Sequence, residues 1–376
     1  MKDHLCMRKI LSCLTILGLL FFSCETKQSD LLEITVDIDQ NTPFHLSEIT
    51  EELIAIELEL SDASLINREG VGRIIIVENN VITTELDQIL VFNTDGKFIR
   101  SIGSRGQGPG DYNYIKKLTI DEKNKHLYIL STGPSKIICY NLEGKFIKET
   151  LKCPGFPVDV NFVNNELLLV GSMWGRDEAK GIFINYTVYR LSEDFQAVES
   201  IHIRNTYLGD DLSAFGEVGN NDIILNANSS VYLYKSNNFI IRGQNPAKIA
   251  QADTLYRIED NQFIPELKLK FKNDGIDGSG NKFINPNMIY RSTRFVFSSY
   301  TNTQNNGSYY FCYDTKTGKK YNMRDGYTDD INQIEKRVNV RPFVSNTEMF
   351  YYLYSHMKPD DMEEPNPTLY IGKLKK

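Results

Sequence analysis

Five side chains are candidates for binding chemistry. Arg105, Asp111 and Tyr112 lie in Gly103-Ser104-Arg105-Gly106-Gln107-Gly108-Pro109-Gly110-Asp111-Tyr112. The glycines around Pro109 permit a sharp backbone course. A guanidinium and a carboxylate on such a loop could present charge to a ligand. The same composition also suits a connector that needs glycine only for its turns. The spacing is neither G-x-G-x-x-G nor a P-loop, since no Lys-Ser/Thr follows and the next segment has strand character. Trp174, the only Trp, and Arg176 lie in Gly171-Ser172-Met173-Trp174-Gly175-Arg176-Asp177, which reads as a loop between strands. An exposed indole beside a guanidinium could stack on a sugar ring or a peptide side chain. The alternative is an aromatic anchor packed on its own sheet. Ser172 directly follows Gly171, so this is not a G-x-S-x-G elbow.

Other chemistries have weaker support. Asn273 to Asn281 is polar and Gly-rich, but Asp274 and Asp277 are three apart and no distal Glu follows, so it lacks the alternating oxygen ligands of a calcium loop. His45, His126, His202 and His356 form no HExxH motif, and no CxxC occurs. The pairs Asp210-Asp211 and Asp360-Asp361 read as solvated turns. No catalytic residue, metal or cofactor is expected. The chain carries a net charge of −7. The pairs Lys116-Lys117, Lys319-Lys320 and Lys375-Lys376 are isolated and read as solvated. Such an acidic body argues against nucleic acid as a partner.

The first residues read as an address rather than as fold. Arg8-Lys9 precedes an apolar run from Ile10 to Phe22 that ends in Ser23-Cys24. The run is too short to span a bilayer and fits a secretory signal; Met7 opens it more cleanly than Met1. Ser23-Cys24 resembles the lipobox of bacterial lipoproteins, although Phe21 and Phe22 are bulkier than its usual residues. That resemblance implies a signal peptide over 1–23 and lipidation of Cys24, which becomes the mature N-terminus. Residues 24–43 then form a tether and N-terminal segment. Removing 1–23 takes away Lys2, Arg8 and Lys9 against Asp3, so the net charge falls from −7 to −9. The expected location is the cell envelope, with the lipid holding the protein on a membrane, the outer one by preference.

These candidates must be positioned by a repeating scaffold. Ile89-Leu90-Val91-Phe92-Asn93-Thr94-Asp95-Gly96-Lys97-Phe98-Ile99-Arg100 returns as Ile137-Ile138-Cys139-Tyr140-Asn141-Leu142-Glu143-Gly144-Lys145-Phe146-Ile147-Lys148, an offset of 48 residues. Weaker copies begin at Tyr189, at offset 49, and at Cys312. Each copy is an apolar run, a tight turn with Gly and a second run, which is hairpin chemistry. Four short strands per unit at this period predict a β-propeller. Six units can be traced, the sixth one strand short. Residues 53–60, whose second half alternates, are expected to supply the missing strand and close the ring. Cys139 and Cys312 occupy one repeat position and so fall in different blades. Buried thiols are expected, a Cys139–Cys153 bridge being the alternative. The expectation is an all-β, six-bladed propeller of four-stranded antiparallel blades over residues 44–376.

Asp95-Gly96-Lys97-Phe98 followed by the glycine loop, Asp253-Thr254-Leu255-Tyr256 and the closing Pro367-Thr368-Leu369-Tyr370-Ile371 resemble six-bladed β-propeller lipoproteins of Bacteroidota, distant relatives of NHL-repeat propellers. The resemblance implies a fold and carries no shared activity. Propellers gather loops around one axis, which suits recognition. The expected function is non-catalytic binding of a glycan, peptide or envelope protein at the channel mouth. Alternatives are a glycan- or peptide-processing hydrolase or lyase at that mouth, and a scaffold subunit of an envelope complex.

Overall fold

In the repeat, Ile89, Leu90, Val91 and Phe92 are all buried, although a strand with one wet face would alternate. The computed structural model shows why. It describes residues 31–66, 72–85, 87–150, 152–209, 215–219, 223–227, 230–234, 238–241, 253–278, 283–356 and 365–376. Residues 1–23, expected to be a signal peptide, Cys24, residues 25–30, expected to be a tether, and both Asp pairs lie outside this set. Ile89 and Val91 pack with Leu118, Leu127 and Ile138 of the next sheet. Leu90 and Phe92 pack with Ile56, Tyr351 and Leu369 of the preceding one. Each sheet is a blade between two others, so both faces of its strands are apolar.

Six blades result. The first is Ile75–Val77, Asn80–Glu85, Gln88–Asn93 and Phe98–Ser101. The second is Tyr114–Asp121, His126–Thr132, Lys136–Asn141 and Phe146–Glu149. The third is Phe156–Val163, Glu166–Asp177, Gly181–Leu191 and Ala197–Gly209. The fourth holds Ile223–Ala227, Ser230–Tyr234, Thr254–Glu259 and Gln262–Phe271. The fifth is Ile284–Arg291, Phe295–Asn302, Gly307–Asp314 and Lys320–Arg324. The sixth runs Arg341–Phe343, Asn346–Tyr354 and Thr368–Leu374, and its outermost strand is Thr50–Glu57. That closing strand pairs antiparallel with Thr368–Leu374, Ile54 opposite Ile371 and Ile56 opposite Leu369. It starts and ends three residues earlier than expected. Among the described residues no helix is long and apolar enough to cross a membrane.

The repeated turn has one mechanism. The Asn93 side-chain oxygen accepts from the amides of Asp95 (3.1 Å) and Lys97 (2.8 Å), and Gly96 takes φ +82°. Asn141 does the same for Lys145 (2.7 Å), with Gly144 at +83°. In the fifth blade Asp314 accepts from Lys316 (2.9 Å) and also pairs with Arg294, with Gly318 at +73°. Such a side chain mimics a backbone turn. The third blade corrects the expected alignment by two residues. Ser192 bonds Gln196 as Asn141 bonds Lys145, and Phe195 (φ +60°) stands in the glycine position. A left-handed aromatic is unfavourable. Here its ring is buried against Tyr128, at 6.1 Å between centroids, which offsets the strain.

The N-terminal segment departs from expectation. The folded unit begins at Leu32, not at residue 44. Leu32–Val36 lies parallel beside Gln262–Phe271 as a fifth strand of blade four, Ile34 opposite Leu269. The chain then crosses blade five, where the Asn322 amide donates to the carbonyls of Asp37 and Gln40 (both 3.0 Å) and Phe44 stacks on Tyr321 at 4.1 Å. It enters blade six through the short helix Leu46–Ile49. Cys139, Cys153 and Cys312 are buried free thiols. Burial pushes Cys139 and Cys153 up to about 11, which leaves them protonated and unreactive at neutral pH.

Ile56 is 4% exposed at the seam. Ile56→Ala is expected to cost about 2–5 kcal/mol, read by urea denaturation. Truncation of Ile54, two residues earlier on the same strand but 47% exposed, is expected to cost under about 0.5 kcal/mol.

Candidate functional site

The innermost strand of a blade is a sheet edge, so it can take prolines and bulges that a central strand could not. Three of them do. Ile115 and Lys117 face Ser131 and Leu130 with Lys116 as the extra residue between. In blade three Val158 is the extra residue after Pro157. In blade five it is Asn287 after Pro286. A bulge re-aims the side chains around it. All three bulged residues line one cavity at the propeller axis, of about 660 Å³, within the roughly 300–1,000 Å³ range of small-molecule sites. Because of its bulge, blade two presents both Lys116 and Lys117 to the cavity. Lys116 stays exposed and Lys117 is half-buried, so the pair read as solvated in the sequence borders this channel.

The cavity's chemistry is cationic and aromatic. Arg73, Lys116, Lys117 and Arg341 line it, with Asp159 as a lining carboxylate. Arg73 is committed: its guanidinium donates to the Leu118 carbonyl (2.8 Å), the Asn161 side-chain oxygen (2.9 Å) and Asp159 (3.4 Å). It thereby ties the approach to blade one to blades two and three. Asp159 is 1% exposed and also accepts from Asn161 and the Val160 amide. Lys116 donates to the Pro157 carbonyl (2.9 Å). Its ammonium is held below the usual lysine range by loss of solvent within the channel walls, then by Lys117 beside it. Neither Lys117 nor Arg341 has an ion pair among the described residues.

Blades five and six supply rings. Tyr309 stacks on Tyr300 at 5.2 Å, Tyr310 meets the buried Tyr327 edge-on at 5.7 Å, and Tyr351 completes this wall. Burial raises the Tyr310 hydroxyl, while nearby Arg341 opposes the shift, so it stays a neutral donor. Ser298 also lines the cavity and is 2% exposed. Its hydroxyl has no hydrogen-bond partner among the described residues, and burial without a partner is costly.

None of the five candidates from the sequence lines this cavity. The loop of Arg105, Asp111 and Tyr112 leads into the start of blade two's inner strand, and it is tied to its surroundings. Tyr112 is buried and donates to the Ile102 carbonyl (3.1 Å); desolvation pushes its hydroxyl up to about 12. Asp111 accepts from Ser104 (2.8 Å) and from the Gly108 amide (2.9 Å), which together hold it below the usual carboxylate range. A Cβ on Gly106 would meet Asp111 at 2.3 Å. Arg105 pairs with Asp87 (2.6 Å) and lies over the Tyr114 ring.

Trp174 and Arg176 are not in a loop but in the strand Glu166–Asp177, opposite Ile184 and Ile182. Phe156, which begins the inner strand, faces Ser172. Residues 173–177 therefore run past the blade at the end where inner strands begin and where Lys116 and Val158 meet the cavity. Trp174 is half exposed there. Among the described residues no three His, Cys, Asp or Glu side chains gather as a metal set.

The family model for DUF4934, a domain of unknown function, matches residues 30–376. The chain belongs to the DUF4934 family. No curated protein matches this DUF4934 chain. Among solved structures it is similar to a Bacteroides fragilis protein described as exported, at TM-score 0.60 and 16% identity, covering 92% of this chain and 100% of that one. A DUF4221 member from Bacteroides vulgatus matches at TM-score 0.48 and 9% identity, covering 87% and 97%. At 16% identity the likeness to the Bacteroides fragilis protein is one of fold alone.

Arg73→Met leaves buried Asp159 without its cation. The expected cost is about 3–5 kcal/mol, read by denaturant melts. Arg73→Met combined with Asp159→Leu is expected to recover most of it.

Proposed function

We propose that this DUF4934 propeller is a lipid-anchored protein of the cell envelope that binds a ligand in its axial cavity without catalysing its turnover. The observation that carries this reading is a cavity walled by cations and tyrosines. Its described lining carboxylate, Asp159, is already engaged by Arg73 and Asn161. A hydrolase working through paired carboxylates would need a second one beside it. Spare positive charge and ring faces suit recognition instead. The half-exposed Trp174 strand, at the same end, is placed to contact a ligand or partner entering the mouth. The apolar run ending in Ser23-Cys24 supports the anchor, and the likeness to a Bacteroides protein described as exported supports the envelope and a Bacteroidota origin. Repeated outer hairpins support kinship with NHL-type propellers.

Screening the protein by thermal shift is expected to find a ligand that stabilises it by about 2.7 kcal/mol at a hundredfold over Kd. Ser308→Trp, from an exposed position on the cavity wall, should remove that shift without lowering the unliganded melting point. Retention of the shift would place binding elsewhere. For the anchor, Cys24→Ser is expected to abolish labelling by radioactive palmitate and release the protein from the membrane fraction. Unchanged labelling would overturn lipidation at this residue.

A further inference from the structure

Resting on that reading of the cavity, we propose that its ligand is a small acidic saccharide bearing more than one carboxylate. Charge sets the cavity apart from the rest of the chain. The chain as a whole carries −7, yet its axial cavity holds four cations and, among the described residues, one carboxylate. Arg73 is matched by Asp159. Lys116, Lys117 and Arg341 are left in excess, on blades two and six rather than at one point. Like charges gathered in one channel repel one another; Lys116 is held below the usual lysine range first by desolvation and then by Lys117 beside it. A ligand with separated carboxylates removes it and forms charge-assisted hydrogen bonds on both walls. A single carboxylate leaves part of the excess of three cations unmatched.

The remaining lining argues for a sugar as the carrier. Tyr309 and Tyr310 bring ring faces of the kind on which the C–H faces of a pyranose pack. Asn287, set in the cavity by its bulge, offers both a donor and an acceptor for ring hydroxyls. The buried Ser298 hydroxyl lacks a partner among the described residues. A ligand hydroxyl offers it both a donor and an acceptor, whereas a carboxylate oxygen offers an acceptor alone. The volume of about 660 Å³ suits a disaccharide.

The test is calorimetric titration of the full chain with digalacturonate and with galactobiose, its neutral counterpart. Digalacturonate is expected to bind at least about tenfold tighter, and more weakly as salt rises. Lys117→Gln with Arg341→Gln should weaken it by about 10–100-fold while leaving galactobiose unchanged. Ser298→Ala should weaken both sugars. Equal affinity for the two sugars, or an affinity untouched by the double substitution, overturns the acidic-saccharide inference and leaves cavity binding intact. Binding of neither sugar, with succinate bound in a manner sensitive to Ser308→Trp, overturns the saccharide and keeps the cavity. Failure of cavity binding itself is seen separately, as a ligand shift that Ser308→Trp does not remove.

Discussion

The strand Thr50–Glu57 leaves the N-terminal part of the chain and pairs with Thr368–Leu374 at the other end. It closes the ring, and every other blade depends on it. A propeller blade has two apolar faces and cannot bury both alone, so stability comes from stacking onto neighbours. In an open ring the first and last blades would each expose one face. Pairing across some three hundred residues carries a loop-closure cost, but that cost grows only logarithmically with length. Once made, the seam buries Ile56, Leu369 and Ile371 with Leu90 and Phe92 of the first blade. The N-terminal strap adds to the closure. By running from blade four across blade five into blade six, residues 32–49 tie three blades before the seam strand begins.

Closure also creates the cavity. Six innermost strands converging on an axis present edges rather than paired neighbours, and an edge can hold a bulge at low cost. Lys116, Val158 and Asn287 are extra residues in three such strands, and each reaches the same space. The scaffold's repetition thus breaks at the axis, where three inner strands carry an extra residue. A cationic pocket inside an acidic protein is held together by Arg73, which joins three blades through a carbonyl, an amide oxygen and a carboxylate.

The conspicuous loop from Gly103 to Tyr112 serves the scaffold. Its glycines are required because Asp111, Tyr140 and Phe146 crowd the backbone, and its tyrosine is core. It is conspicuous in the sequence because glycines and charged residues fall together there. Lys116 and Lys117, four residues further on, looked like an ordinary solvated pair. The blade-three segment shows a second limit of the same kind. Gly171 and Gly175 suggested a loop, yet the strand continues through both to Asp177.

From the sequence alone, the fold class, the number of blades, the closing strand and the separation of Cys139 from Cys312 were all legible. They rest on local chemistry repeated at a fixed period: Asn or Asp opening a turn, Gly at positive φ, and apolar runs filling both blade faces. Pro157 and Pro286, inside apolar inner strands, were the available signal for bulges at the axis. Only the tertiary structure decided the rest. Which residues share the cavity depends on bringing inner strands from different blades to one axis, and no periodicity records that convergence. Whether a lysine is solvated or faces a channel depends on a one-residue bulge. Whether Leu32–Val36 is tether or strand depends on finding the exposed edge of Gln262–Phe271, more than two hundred residues away.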